Sequence, residues 1–196
     1  MFKKIEAQVA VQMSNTASTV EWSTLPWQEI ERAVFKLQKR IYQATVENNQ
    51  PKARKVQKTL LNSWFAKLMA VRRVTQENKG KKTAGIDGVK SIEPKVRLEL
   101  AKALKVTGKS RPVRRIYIPK PGKDEQRPLG IPTMNDRATQ ALVKMAIEPE
   151  WEAKFESNSY GFRPGRGCHD AVDQIFQSIK QKAKYALDAD IAGCFD

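Results

Sequence analysis

Arg115-Ile116-Tyr117-Ile118-Pro119, then Pro121-Gly122-Lys123-Asp124, then Arg127-Pro128-Leu129-Gly130-Ile131-Pro132 form one continuous passage of the chain. The first segment alternates side chains as a half-buried strand does. The second has the residues of a turn and the third is another short extended run, so the passage predicts a β-hairpin. Prolines in both arms keep the strands short. The hairpin is also cationic. Between residues 102 and 127 stand Lys102, Lys105, Lys109, Arg111, Arg114, Arg115, Lys120, Lys123 and Arg127, against only Asp124 and Glu125.

On either side of the hairpin the apolar period changes from two to about 3.6. Upstream, Ile30, Val34, Leu37, Ile41 and Ala44 mark one helix face, with Thr24 as candidate cap and Pro26 in the first turn. After a turn at Glu47 to Pro51, Val56, Leu60, Trp64, Leu68 and Val71 repeat the spacing, which predicts two antiparallel helices. Downstream, Ala138, Ala141, Leu142, Met145 and Ala146 predict a buried helix capped at Asn135. It should end near Glu148, because Pro149 disfavours helical geometry in the residue before it. Val172, Ile175, Phe176 and Ile179 predict another helix, capped near Asp170, and Lys184 to Ile191 reads as a strand. Helices around a short sheet make the fold class α+β.

The chain has 196 residues, with 36 Lys or Arg against 21 Asp or Glu, for a formal charge of +15 at pH 7. Hydrophobic residues make up 40%, which is enough to build a core and excludes a disordered polybasic tail. A folded protein this basic points to a polyanionic partner, with nucleic acid ahead of a membrane surface. No run approaches the ~18 apolar residues of a membrane span. Cys168 and Cys194 have no metal-binding spacing, and residues 1–14 lack the apolar core of a secretion signal. The expectation is a cytoplasmic protein, or one of an organelle matrix in a eukaryotic host.

Three further segments carry candidate chemistry. The loop Asn78-Lys79-Gly80-Lys81-Lys82-Thr83-Ala84-Gly85-Ile86-Asp87-Gly88 combines cations with glycines that allow close approach, yet lacks the spacing of a nucleotide-binding P-loop. Ser159-Tyr160-Gly161-Phe162-Arg163-Pro164-Gly165-Arg166-Gly167 is a second loop, in which Tyr160 and Phe162 are candidates for base stacking. The last strand carries Asp188 and Asp190, and carboxylates downstream of a cationic hairpin suit metal-assisted phosphoryl transfer. His169, the only histidine, has no acid–base partner by spacing and reads as a capping or packing residue. Trp22, Trp27, Trp64 and Trp151 read as core anchors.

The order of these blocks resembles the N-terminal half of a group II intron reverse transcriptase/maturase. The blocks are Asn78-Lys79-Gly80 to Gly85-Ile86-Asp87-Gly88, Ile118-Pro119-Lys120, Arg127 to Pro132, Asp136-Arg137, Ser159 to Arg166, and Asp190-Ile191-Ala192-Gly193-Cys194-Phe195-Asp196. The resemblance covers about residues 20–196. It implies a flexible lead-in over 1–22, a helical N-terminal extension with a template-contacting loop over 23–88, and fingers with the cationic hairpin over 89–183. Residues 184–196 then begin the palm of a right-hand polymerase, cut short within it.

At single positions, the resemblance implies that Asp190 is a catalytic aspartate and, with the Ile191 carbonyl, a ligand of Mg2+. Lys120 and Arg127 would grip the triphosphate of a dNTP, and Phe195 would lie under its sugar. Lys79, Gly80, Lys81, Lys82 and Gly85 would contact the template. Arg163, Pro164, Gly165 and Arg166 would position template and primer. Implied partners are the intron RNA, an RNA template with its DNA primer, and dNTPs. Ala192 departs from the lysine or other polar residue usual in the family. The other palm aspartates lie in a Tyr-Ala-Asp-Asp-type turn that this sequence does not contain, so the chain alone is expected to be inactive as a polymerase. Two alternatives stay open: a stand-alone splicing helper that binds intron RNA, and one half of a split enzyme that joins a separately encoded C-terminal half.

Overall fold

The computed structural model describes residues 21–122 and 124–191. The expected lead-in, apart from Glu21 and Trp22, and Phe195 lie outside the described residues. The chain divides into two compact units, residues 1–153 and 154–196.

The first unit is a helical cluster carrying a two-stranded antiparallel sheet. After a 3-10 turn at Trp22–Thr24, helix α1 runs over Trp27–Val46 and buries Ile30, Val34, Leu37, Ile41 and Ala44, the stripe that the periodicity predicted. Thr24 does not cap it. Leu25 is buried between them, and Thr24 instead hydrogen-bonds back to the Glu21 carbonyl. Helix α2 spans Gln50–Asn62, and the side chain of Asn49 caps it by accepting from the Lys52 amide. The predicted second helix is in fact two, because Ser63 is extended and buried, and α3 starts afresh at Trp64–Arg72. Phe65, Ala66, Leu68, Ala70 and Val71 are all buried, so α3 is apolar around its circumference and sits inside the cluster. α1 packs against both α2 and α3, and α3 packs in turn on α4, Pro94–Ala103.

Strands β1, Arg114–Pro119, and β2, Gln126–Ile131, form the predicted hairpin. Helix α5, Met134–Lys154, follows at once. Its cap is Thr133 and not Asn135. The Thr133 hydroxyl accepts from the Asp136 amide and donates to the Asp136 carboxylate, which also accepts from the Arg111 amide. Nor does α5 stop at Glu148. Pro149 lacks the amide that would have bonded to the Met145 carbonyl, and the side chain of Gln38 donates to that carbonyl instead, at 3.1 Å. The orphaned acceptor is satisfied from α1, and the helix continues.

In the second unit, helix α6 spans Cys168–Ile179. Asp170 stands in its first turn rather than at its cap, accepting from the Gly167 amide at 2.7 Å. Val172, Ile175, Phe176 and Ile179 have the predicted helical spacing, but all four are exposed. Residues 184–191 do not form the expected strand. A strand needs a neighbouring ladder for its amides and carbonyls, and among the described residues only β1 and β2 are paired. Of the tryptophans, Trp22 is a core anchor whose ring lies tilted against that of Trp27, with centroids 5.0 Å apart, while Trp151 is half exposed. The architecture is α+β. No helix among the described residues is long and apolar enough to cross a membrane.

Candidate nucleic-acid interface

The hairpin register places Ile118 opposite Arg127, Ile116 opposite Leu129 and Arg114 opposite Ile131. Residues directly opposite in an antiparallel pair share a face, so Arg127 stands on the same face as Ile116 and Leu129. At the turn end the Lys120 amide donates to the Glu125 carbonyl, at 3.0 Å, and closes the turn. The Lys120 ammonium also lies 2.8 Å from a Glu125 carboxylate oxygen. That hydrogen bond, reinforced by the lysine's charge, holds the Glu125 carboxyl below its ordinary range. Arg127 is exposed and has no side-chain hydrogen bond or ion pair among the described residues. Of the two expected triphosphate cations, one is engaged with a neighbouring acid and one is open to solvent.

The loop of residues 78–88 lies against the other end of the hairpin. Asn78 accepts from the Gly80 amide at 2.8 Å and starts a single 3-10 turn, Lys79–Lys82. Lys81 turns inward and donates to the Gln76 carbonyl at 2.6 Å, whereas Lys79 and Lys82 are exposed. Gly85 is buried, and a Cβ there would fall 2.8 Å from both the Pro132 carbonyl oxygen and Thr133 Cα. Only glycine lets the loop approach the backbone after β2 this closely. Arg137, near the start of α5, reaches the same loop: its guanidinium donates to the carbonyls of Gly80 at 3.0 Å and Thr83 at 2.8 Å. Burial lowers the pKa of this guanidinium, with the charge of Asp87 opposing the shift and that of Arg114 adding to it.

In the second unit the arginines expected to meet template and primer are turned toward their own loop. Arg163 is buried, donates to the Glu156 and Ser159 carbonyls, and lies 5.2 Å from the Phe155 ring centre. Arg166 donates to the carbonyls of Ser157 and Ser159 and lies over Tyr160. Gly165 takes a φ of +69°, a left-handed conformation in which a side chain would be strained, and Pro164 beside it is exposed. This frame leaves Phe162 fully exposed. His169 is exposed in the first turn of α6.

Asp188, Asp190 and Ile191 are exposed, and an Asp190 carboxylate oxygen accepts from the Ile191 amide at 2.8 Å. Among the described residues no group of three or more His, Cys, Asp or Glu side chains is placed to hold a metal ion. The divalent-metal chemistry that the resemblance implies has no complete ligand set in the described residues.

The structure thus brings the 78–88 loop to the base of the hairpin and places Lys120 and Arg127 toward its turn. The role of Arg137 was missed in the sequence, where it stood only as half of an Asp-Arg pair beginning a helix. Its two bonds to the loop join residues 54 and 57 positions apart, beyond the reach of any local pattern.

Residues 22–104 match the family model for the N-terminal domain of reverse transcriptase, and residues 118–196 match that for reverse transcriptase (RNA-dependent DNA polymerase). Among curated relatives, the chain is 40% identical over 124 residues to the group II intron-encoded protein LtrA of Lactococcus lactis subsp. cremoris, covering 61% of this chain and 20% of that protein. It is 36% identical over 134 residues to Protein YkfC of Escherichia coli (strain K12), covering 63% of this chain and 35% of that one. Maturase-like protein 1 of Euglena gracilis is 32% identical over 143 residues, with 70% and 30% covered. The chain therefore spans between a fifth and about a third of the length of these relatives.

Proposed function

This chain belongs to the reverse transcriptase family, as the N-terminal portion of a group II intron-encoded reverse transcriptase/maturase, and we propose from that premise that the complete protein copies RNA into DNA and binds its intron RNA to promote splicing and mobility. The residues described above supply its nucleic-acid and nucleotide contacts. Residues 23–88 form the N-terminal extension, residues 89–183 the fingers, and residues 184–196 enter the palm. Arg127 and Lys120 take the triphosphate of the incoming dNTP, and Phe195 takes its sugar. The loop carrying Lys79, Gly80, Lys81, Lys82 and Gly85 meets the template. Arg163 and Arg166 act with Pro164 and Gly165 by shaping a loop that presents Phe162 to template and primer.

The metal proposed for the complete protein is Mg2+, toward which this chain offers the Asp190 carboxylate and the Ile191 carbonyl. One carboxylate does not organise a two-metal site, so the remaining ligands belong to other residues of the complete protein.

The observation that carries this reading is the hairpin. The Arg127 guanidinium is open on one strand, close in sequence to Lys120 at the turn, and a family-model match begins at Ile118 and runs through the turn and the second strand. Paired cations on a rigid strand–turn unit suit a polyphosphate. In the complete protein, Lys120→Ala with Arg127→Ala is expected to raise the dNTP KM far more than it weakens intron RNA binding. The reverse pattern would reassign the hairpin to RNA scaffolding.

A further inference from the structure

Two features fasten the 78–88 loop, and both lie in its own unit. The first is steric: Gly85 sits against the Thr133 backbone with no room for a Cβ. The second is polar: Arg137 donates through Nη1 to Gly80 and through Nη2 to Thr83, while its Nε donates to the Pro132 carbonyl at 2.9 Å and fixes the guanidinium plane. A planar fork held at three points leaves the loop little freedom to move away from the hairpin base. The cations are then sorted by direction. Lys81 is drawn back to the Gln76 carbonyl, and the Ser91 amide donates to the Lys81 carbonyl at 3.0 Å, while Lys79 and Lys82 are left exposed on either side.

We propose that Arg137 is a positioning residue for nucleic-acid binding. It locks the 78–88 backbone on the hairpin base so that Lys79 and Lys82 meet the phosphates of a single strand in a fixed, preordered arrangement. The Arg137 guanidinium has its donors on protein carbonyls and acts through the two lysines rather than by touching the strand. An unfastened loop would keep both charges but would have to be ordered on binding, at an entropic cost. The inference rests on the reading of this loop as a template contact.

The test is a mutant cycle on the 196-residue chain with a short, unstructured, labelled RNA, in which affinity is measured by anisotropy over a range of salt. Lys79→Ala with Lys82→Ala should lower the slope of log affinity against log salt by about 1.4, two phosphates' worth on a single strand. In the Arg137→Ala background the same pair should lower it by less than half as much, because the lysines are no longer held. Gly85→Ala, which unseats the loop sterically and leaves every charge in place, should reduce the effect of the lysine pair in the same way. Arg137→Lys keeps the charge and loses the fork, so it serves where the alanine variant does not fold, and it too should weaken the lysine effect. A lysine effect of full size in the Arg137→Lys and Gly85→Ala backgrounds would overturn the positioning role and leave the loop reading intact. No lysine effect in the unsubstituted chain would overturn the loop reading itself, and this inference with it.

Discussion

Lys120 meets two demands at one nitrogen, the Glu125 carboxylate beside it and the phosphate proposed to arrive there. The ion pair is exposed, and exposed pairs are weak and screened by salt. Its chief consequence is therefore competition, in which Glu125 occupies Lys120 until a more highly charged anion displaces it. Glu125→Gln is expected to lower the dNTP KM of the complete protein by about two- to fivefold, the scale of a surface pair, with at most a slight fall in the thermal midpoint. An unchanged KM would show that Glu125 does not compete. The sign of the pH dependence follows from the lowered Glu125 pKa. The pair's contribution to stability is fully present above the ordinary carboxylate value, and it is lost as pH falls through the depressed folded value. It is therefore complete at neutral pH. Sequence showed which cations stood near the turn, but not that one of them had a partner. Arg163 makes the same point more strongly: the resemblance implied that it positions template and primer, and its burial among carbonyls of its own loop depends on backbone geometry that no spacing rule encodes.

At the scale of elements, apolar periodicity placed the helical stretches of α1 to α3, α5 and α6, passed over α4, and misjudged the ends of several. Ends are decided by single hydrogen bonds, often from distant residues. Pro149 was expected to end the helix through its effect on Glu148, but Gln38, which satisfies from another helix the carbonyl that Pro149 leaves without an amide, lies 107 residues away from Met145. Gln38→Met keeps the side-chain volume and leaves the partly buried Met145 carbonyl unsatisfied. It should cost about 1–3 kcal/mol, seen as a lower urea midpoint at unchanged m-value. Pro149→Ala restores an amide for that carbonyl, so in its background Gln38→Met should cost measurably less. Equal costs in the two backgrounds would mean that α5 passes Pro149 for another reason. The segment 184–191 illustrates the opposite error. Its pattern suits a strand, but a strand forms only against a partner, and pattern alone does not supply one. Helix α6 combines the two lessons, since its amphipathic spacing is as predicted while its apolar face is exposed.

At the scale of the molecule, the charge of +15 and the incomplete carboxylate set among the described residues separate binding from catalysis. Cations act additively and over the range of a Debye length, so a portion of the protein retains its share of attraction for a polyanion. Two-metal nucleotidyl transfer has no such partial form. It needs several carboxylates held together, and Asp190 is exposed, with its carboxylate accepting, among the described residues, only from the neighbouring amide. The 196-residue chain is therefore expected to bind single-stranded RNA with affinity that falls steeply as salt is raised. It should extend a DNA primer on an RNA template, with Mg2+ and dNTPs supplied, no faster than its own Asp190→Asn variant. Lys79→Ala with Lys82→Ala should reduce the binding, and Asp190→Asn should leave it unchanged or slightly tighter, because it removes a negative charge. Extension above the Asp190→Asn background would mean that this chain assembles a metal site from residues other than those described. Binding insensitive to salt would instead mean that the excess charge is a solubility feature and that RNA contacts reside elsewhere in the complete protein.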